Sequence, residues 1–263
     1  TRDVLTVLNP IWLRVPETAS RLRGRIERVM DAAKAEGYHP GPNPALWRGN
    51  LKSILPKKPK LSRGHHAALP YDEMPAFWQK LVALDSVSAN ALRFLILTAA
   101  RSGEVRLATW NEIDMQGAAW NVPAERMKAG KPHRVPLTDE ALAVLITMSK
   151  LRAGRGDDDL VFPARDSRKP LSVMALAMAL RGINDAVTVH GFRSSFRDWA
   201  AEQTSYPGDV AEAALAHTIG NKVEAAYRRG DLFEKRRALM AEWAQYVSGR
   251  PSDNVVRLDA RRA

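Results

Sequence analysis

Residues 190–199 read His-Gly-Phe-Arg-Ser-Ser-Phe-Arg-Asp-Trp, and they predict the start of a helix over 190–202 that has two separate faces. Phe192, Phe196 and Trp199 follow the i, i+4, i+7 spacing of one helical face, so we expect them to anchor the helix in a core. His190 and Arg193 lie three residues apart, a spacing at which an imidazole and a guanidinium share another face. Most His-x-x-Arg pairs are ordinary surface residues, so this pair needs support from other segments.

A second arginine follows an apolar helix that is predicted over 87–100. Arg101 stands at the end of this helix beside Ser102 and Gly103, on a rigid support at a turn. The guanidinium suits phosphate because it can make two parallel hydrogen bonds to two oxygens. Glu104 can orient this group from behind. The alternative interpretation is a cation that satisfies the dipole at a helix C-terminus.

The third segment is Leu215-Ala-His217-Thr-Ile-Gly-Asn-Lys-Val-Glu-Ala-Ala-Tyr227. A helix over 208–216 is expected to end at His217, and a short helix over 222–229 presents Tyr227 behind two alanines, which leave the phenol accessible. The alternative for a tyrosine between alanines is a half-buried packing residue.

The rest of the chain predicts a mainly α protein with one small antiparallel β-sheet. Strands over 118–122 and 134–137 flank the turn Lys128-Ala-Gly-Lys-Pro. An amphipathic helix over 17–36 carries an apolar row (Leu22, Ile26, Val29, Met30 and Ala33) beside a basic stripe (Arg21, Arg25 and Arg28). Further helices are predicted at 72–84, 104–110, 139–150, 172–181 and 232–247.

These patterns divide the chain into a helical segment over 1–56, a basic proline-containing linker over 57–70, a larger domain over 71–249 and a mobile polar tail over 250–263. The formal net charge is +11 and the pI is near 10.1, which favours a polyanionic partner because bound Lys and Arg release counterions from phosphates. The absence of cysteine excludes disulfides, thiolate metal sites and cysteine nucleophiles. With no long apolar run and no signal peptide, a cytoplasmic protein is expected, and an initial Thr indicates a fragment.

Taken in order, the segments resemble the tyrosine recombinase family, and most closely its phage and genomic-island integrases. Family-like stretches include Asn43-Pro-Ala-Leu-Trp, His65-His-Ala-Ala-Leu-Pro, Arg126-Met-Lys-Ala-Gly-Lys-Pro-His-Arg-Val-Pro-Leu, His190-Gly-Phe-Arg and Ala226-Tyr-Arg-Arg-Gly-Asp. The resemblance implies a core-type DNA-binding domain, partial here, followed by a mixed α/β catalytic domain. The family usually has Leu-Gly-His where this chain has Leu215-Ala216-His217, a change between small residues that we expect to matter little.

The resemblance also implies a role for each matching residue. Arg101 and Arg193 would hold the non-bridging oxygens of the scissile phosphate, and His217 would hydrogen-bond it. Lys128, or alternatively Lys131, would protonate the departing 5′ oxygen, and His190 would assist proton movement at the nucleophile Tyr227. His65, His66 and His133 match family positions without a role that we can derive. Basic residues expected to contact DNA are Arg21, Arg25, Lys57, Lys58, Lys60 and Arg63.

The activity implied is site-specific DNA cleavage and rejoining through a 3′-phosphotyrosyl intermediate, which integrates or excises a mobile element without a metal, a cofactor or ATP. The implied partners are double-stranded DNA attachment sites and accessory DNA-bending or directionality proteins. The chain is expected to be a monomer when free and to assemble as four copies on DNA. It is expected to associate with the nucleoid and not with a membrane. The helix over 232–247 could pack against a neighbouring subunit or on its own domain. The alternatives are a type IB topoisomerase-like enzyme and a DNA-binding remnant that no longer cleaves.

Overall fold

The computed structural model describes residues 1–57, 67–152, 156, 158–166, 169–217 and 230–249. Contacts divide the chain into two compact units, Thr1–Gly64 and His65–Ala263, each with its own hydrophobic core. Tyr227, the predicted tail over 250–263 and most of the predicted linker, including Lys58, Lys60, Arg63, His65 and His66, lie outside the described residues. Within the part of the chain that is described, no helix is both long enough and apolar enough to cross a bilayer.

The first unit begins with a helix that the sequence analysis did not predict. Helix α1 spans Arg2–Trp12 with Pro10 inside it, and it buries Val4, Leu8 and Trp12, which share one face at i, i+4 spacing. The Trp12 indole donates a hydrogen bond to the Pro56 carbonyl at 2.9 Å, which ties α1 to the end of the unit.

Helix α2 of the first unit spans Pro16–Ala35 and confirms the predicted helix over 17–36. Arg21 and Arg25 are exposed, as expected of the basic stripe, and Arg21 forms an ion pair with Glu17 at 2.9 Å. Leu22 and Ile26 pack against the core. The prediction was wrong for Val29, which is 67% exposed because it lies beyond the edge of the apolar face. A five-residue turn over Trp47–Leu51 leads into the short helix α3, Lys52–Ile54.

The second unit is mostly helical with a three-stranded sheet, so the expected fold class is confirmed. Its helices among the described residues are α4 (Met74–Val82), α5 (Val87–Thr98), α6 (Ser102–Arg106), α7 (Asp139–Ser149), α8 (Ala175–Arg181), α9 (Gly191–Gln203), α10 (Gly208–Ala214) and α11 (Phe233–Ser248). The antiparallel sheet has the order β1 (Ile113–Asp114), β2 (Ala119–Val122) and β3 (His133–Pro136). Strand β1 was not predicted because two residues are too few to show an alternating pattern.

The core of this unit forms around α5, which is buried on nearly all sides. The aromatic residues of α9 anchor it there as predicted: the rings of Phe196 and Trp199 lie 5.5 Å and 5.1 Å from that of Trp243 on α11. The Trp243 indole donates to the Ile96 carbonyl at 2.9 Å. Helix α11 therefore packs on its own unit, the second of the two alternatives for the predicted helix over 232–247.

The start of α9 is fixed against the backbone of residues 67–69. A Cβ at Gly191 would collide with the Ala67 carbonyl and the Ala68 Cα, so only glycine permits this close approach. The Thr188 amide donates to the Ala67 carbonyl at 2.9 Å, and the Ser195 hydroxyl donates to the Leu69 carbonyl. These contacts set the position of His190, which lies directly before the first residue of α9.

Candidate active site

A concave pocket of about 530 Å³ collects side chains that are distant in sequence. Arg101, Lys128, His190 and Arg193 all line it, together with Glu104. They come from the turn before α6, the β2–β3 hairpin and the start of α9. Lys131, the alternative hairpin lysine, is exposed and is not among the residues that line this pocket.

Arg193 is 4% exposed, and its guanidinium is held by the ends of two helices. Nη1 donates to the carbonyl of Ala99, just beyond α5, and Nη2 donates to the carbonyl of Leu215, just beyond α10, at 2.6 Å. Carbonyls in the last turn of a helix carry partial negative charge and lack partners within the helix, so they offset the loss of hydration of the buried cation. Burial, and then the nearby Arg101, lowers the pKa of Arg193 to about 10, so the group stays charged at neutral pH.

Arg101 does not stand at the end of α5, so the alternative of a cation on a helix C-terminus is wrong. Helix α5 ends at Thr98, and Ala99 reverses the chain in a left-handed conformation with φ of 50°. Arg101 instead occupies the N-cap of α6, where Glu104 accepts both its backbone N–H at 2.9 Å and its Nη1–H at 2.8 Å. One carboxylate therefore fixes both the turn and the guanidinium.

The turn after α10 places His217 beside Arg193. Two backbone hydrogen bonds close it, from the Ala216 amide to the Ala213 carbonyl at 3.1 Å and from the His217 amide to the Glu212 carbonyl at 3.0 Å. This is a Schellman motif with Ala216 in the left-handed region, at φ of 49°. The His217 Nε2 lies 3.2 Å from the Arg193 Nη2.

The conformation of Ala216 explains the glycine found at this position in the family that the chain resembles. A left-handed residue with a Cβ costs roughly 1 kcal/mol, which glycine avoids. The carbonyls of Leu215 and Ala216 also accept hydrogen bonds from Arg193 and from Arg101, the latter at 3.5 Å, so this turn holds both guanidinium groups.

Sequence reasoning assigned no role to Arg126, although this residue also lines the pocket. Its Nη1 donates to the Glu112 carboxylate and its Nη2 to the Glu104 backbone carbonyl. Glu112 accepts a further bond from the Trp120 indole at 2.9 Å. The network connects the base of the hairpin that carries Lys128 to α6, a connection between segments that no sequence spacing indicates.

His133 lies on β3, and burial lowers its pKa to about 4. Arg236 and Arg101 act in the same direction, while Glu104 and a hydrogen bond to the Ala214 carbonyl act in the opposite one. His133 is therefore neutral in the folded protein at neutral pH.

The low pKa of His133 predicts a loss of stability in mild acid. Between about pH 6.5 and pH 4 the unfolded chain binds a proton at His133 that the folded chain does not, so the free energy of unfolding falls as the pH falls through this window. We expect His133→Gln to lose less stability than wild type between pH 7 and pH 4.5, by about 2 kcal/mol. Urea denaturation at both pH values tests this, and equal losses in the two proteins would contradict it.

Of the predicted DNA contacts, Arg21, Arg25 and Lys57 are exposed side chains of the first unit. Within the described ranges, no group of three or more His, Asp or Glu side chains is arranged to hold a metal ion.

Comparisons with known proteins agree with this architecture. Residues 68–232 match the family model described as the phage integrase family, and residues 1–50 match the phage integrase central domain. The chain is 35% identical to prophage integrase IntZ of Escherichia coli (strain K12), over 94% of this chain and 59% of that protein. It is 30% identical to the integrase of Enterobacteria phage P4, over 88% of this chain and 55% of that protein. The chain thus spans a little over half the length of these curated relatives.

Solved structures share the fold at low sequence identity. The lambda integrase tetramer bound to a Holliday junction aligns with a TM-score of 0.57 and 19% identity, over 84% of this chain and 65% of that chain. A lambda integrase (75-356) dimer bound to a COC′ core site aligns with a TM-score of 0.56 and 19% identity, over 83% of this chain and 78% of that chain.

Proposed function

We propose, since this chain belongs to the phage integrase family of tyrosine recombinases, that it cuts and rejoins DNA at specific sites through a 3′-phosphotyrosyl intermediate. The observation that carries this proposal is the pocket that Arg101, Lys128, His190 and Arg193 line together. Two arginines and one lysine around one concavity fit a phosphodiester, and an imidazole beside them fits proton transfer.

In this mechanism Arg101 and Arg193 bind the two non-bridging oxygens of the scissile phosphate. Both guanidinium groups are already oriented, Arg101 by Glu104 and Arg193 by the carbonyls of Ala99 and Leu215. Donors that are fixed before the reaction stabilise the charge that develops on phosphorus without reorganising during it. His217 contributes a further hydrogen bond from beside Arg193.

The covalent step joins the phenolic oxygen of Tyr227 to phosphorus while the bond from phosphorus to the 5′ oxygen breaks. His190 takes the phenolic proton, because a phenol with an ordinary pKa near 10 is largely un-ionised at neutral pH. Lys128 gives a proton to the departing 5′ oxygen, and its place in the pocket supports it over Lys131. The phosphotyrosyl bond retains the energy of the broken linkage, so a 5′ hydroxyl rejoins the strand without ATP.

The proposed substrate is a double-stranded attachment site, on which four copies of the chain act after binding as monomers. The first unit, with its central-domain match and exposed Arg21, Arg25 and Lys57, would contact the DNA. This proposal includes the division of the chain into domains at 1–56, 57–70, 71–249 and 250–263. It also includes DNA contacts by three linker residues, Lys58, Lys60 and Arg63. It also includes accessory DNA-bending or directionality proteins and action in the cytoplasm on the nucleoid.

A covalent capture experiment tests the function. Wild type and Tyr227→Phe are incubated with a pool of duplexes of random sequence, each nicked near its centre. The nick lets the short strand with the 5′ hydroxyl dissociate after cleavage, so that it cannot rejoin and the adduct persists. We expect wild type alone to give a DNA adduct that survives detergent electrophoresis, since only a phenol can form the phosphotyrosyl bond.

The captured DNA distinguishes the alternatives. Enrichment of one sequence among the adducts supports a site-specific recombinase, whereas adducts without any enrichment indicate topoisomerase-like strand passage. Retarded DNA without adduct from wild type would overturn the proposal in favour of a binding protein that does not cleave.

A further inference from the structure

Glu212 on α10 makes the contact that orients His217, although nothing in the sequence indicated a role for it. Its Oε2 accepts a hydrogen bond from the His217 Nδ1 at 2.7 Å, and its Oε1 accepts one from the Arg197 Nε at 2.6 Å. Each oxygen of the Glu212 carboxylate therefore has its own hydrogen-bond partner, and the position of the side chain is fixed.

The Schellman motif after α10 produces this contact. The bond from the His217 amide to the Glu212 carbonyl folds the chain back, so that side chains five residues apart meet. With Nδ1 on Glu212, the other ring nitrogen, Nε2, faces the Arg193 Nη2 at 3.2 Å. Arg197, Glu212, His217 and Arg193 thus form a continuous row that ends at the pocket.

The ionised state of the Glu212 carboxylate determines which nitrogen of the His217 ring carries a proton. Burial alone would raise the pKa of Glu212, but the hydrogen bonds from Arg197 and His217 outweigh it and hold this pKa below its usual value. An ionised carboxylate can only accept, so Nδ1 must carry a proton. Nε2 is therefore the nitrogen left to face a ligand of Arg193.

We propose that Glu212 is a positioning residue that fixes the tautomer of the His217 ring and directs its Nε2 to the scissile phosphate. This inference rests on the proposed function. A ring with its proton on Nδ1 keeps Nε2 turned towards the Arg193 guanidinium, beside which the phosphate binds, and Nε2 accepts from Nη2 at 3.2 Å. A carboxylate at 2.7 Å from Nδ1 fixes both this tautomer and the plane of the ring.

Two substitutions separate charge from contact. Glu212→Gln keeps the size of the side chain and removes its charge, and Glu212→Ala removes the contact. We expect Glu212→Gln to form the covalent adduct at least about tenfold more slowly than wild type, with gel-shift affinity for the same duplex unchanged, because an outer hydrogen-bond partner commonly contributes a factor of this size. We expect Glu212→Ala to slow it further.

The controls exclude a merely structural role. Arg197→Gln removes the other ion pair of Glu212 but leaves the carboxylate on His217, so its loss of rate should be much smaller. Glu202→Gln makes the same chemical change on α9, where the carboxylate accepts from the Tyr71 hydroxyl at 2.7 Å, and should leave the rate unchanged. Thermal unfolding of each variant confirms that it folds.

Nitrogen-15 NMR of the His217 ring gives a readout that does not depend on catalysis. We expect the proton on Nδ1 in wild type and a shift towards protonation on Nε2 in Glu212→Ala. The inference is overturned if the ring signals of that variant match wild type, if Glu212→Gln cleaves at the wild-type rate, or if Arg197→Gln is equally slow. A wild-type protein that forms no adduct overturns the proposed function and the catalytic part of this inference, and the NMR result still decides the orientation of the ring.

Discussion

Replacing Arg193 by lysine is expected to slow formation of the covalent adduct by at least about 100-fold, the effect of losing one fixed donor to a developing oxyanion. Lysine keeps the charge, but its single ammonium cannot contact the carbonyls of Ala99 and Leu215 and the His217 ring at the same time. It also cannot bind two phosphate oxygens through two parallel hydrogen bonds, as the planar guanidinium can. Leaving one of these buried carbonyls without a donor lowers the free energy of unfolding by roughly 1–3 kcal/mol, so the variant is also less stable. Single-turnover cleavage of a captured duplex, at a temperature where the variant is folded, measures the effect.

Arg181→Lys is the matched control, since Arg181 is an exposed residue in the last turn of α8. It should cleave at the wild-type rate. If Arg193→Lys retained more than a tenth of wild-type activity, the phosphate clamp that we assign to Arg193 would be wrong, and its burial would serve the fold alone.

Replacing Arg236 by methionine is expected to lower the free energy of unfolding by about 3–6 kcal/mol, because two backbone carbonyls each lose a hydrogen bond to a buried charged donor, which contributes roughly 1.5–3 kcal/mol. Arg236 on α11 is only 1% exposed. It donates to the carbonyl of Arg134 at 2.6 Å, to the carbonyl of Asp231 at 2.8 Å and to the carboxylate of Asp231 at 3.1 Å. Methionine fills similar space but removes the charged donor from the two carbonyls, whereas the Asp231 carboxylate keeps its hydrogen bonds from Arg134 and from the Phe233 amide.

A domain of this size loses roughly 2–4 °C of thermal midpoint per kcal/mol, so we expect a decrease of roughly 6–24 °C by calorimetry. Arg237→Met supplies the comparison, because Arg237 follows on the same helix and also lies over the Phe233 ring, at 4.8 Å, but is more than a third exposed at its side chain. Its expected cost is under about 1 kcal/mol. Equal midpoints for the two variants would show that the buried contacts of Arg236 contribute little.

The local patterns predicted most of the second unit. The i, i+4, i+7 row of Phe192, Phe196 and Trp199 predicted α9 and its buried face, and the apolar run over 87–100 predicted α5. The predictions were wrong or missing where an element was too short to show a pattern or where the sequence did not mark the end of a helix correctly. Helix α1 contains Pro10, β1 has only two residues, and Arg101 proved to begin α6 because Ala99 ends α5 in a left-handed turn.

The sequence by itself determined the helical character, the hairpin and the set of residue types suited to phosphate chemistry, because periodicity and side-chain chemistry are local properties. Only the tertiary structure decided that Arg101, Lys128, His190 and Arg193 line one pocket, that Arg126 donates to the Glu104 carbonyl, and that Glu212 accepts from His217. Such contacts join residues that are far apart in the chain, 115 positions in the case of Arg101 and Ala216, through carbonyls that every residue carries. Backbone acceptors have no sequence signature, so the orientation of these cations follows from where the helices end and from how they pack.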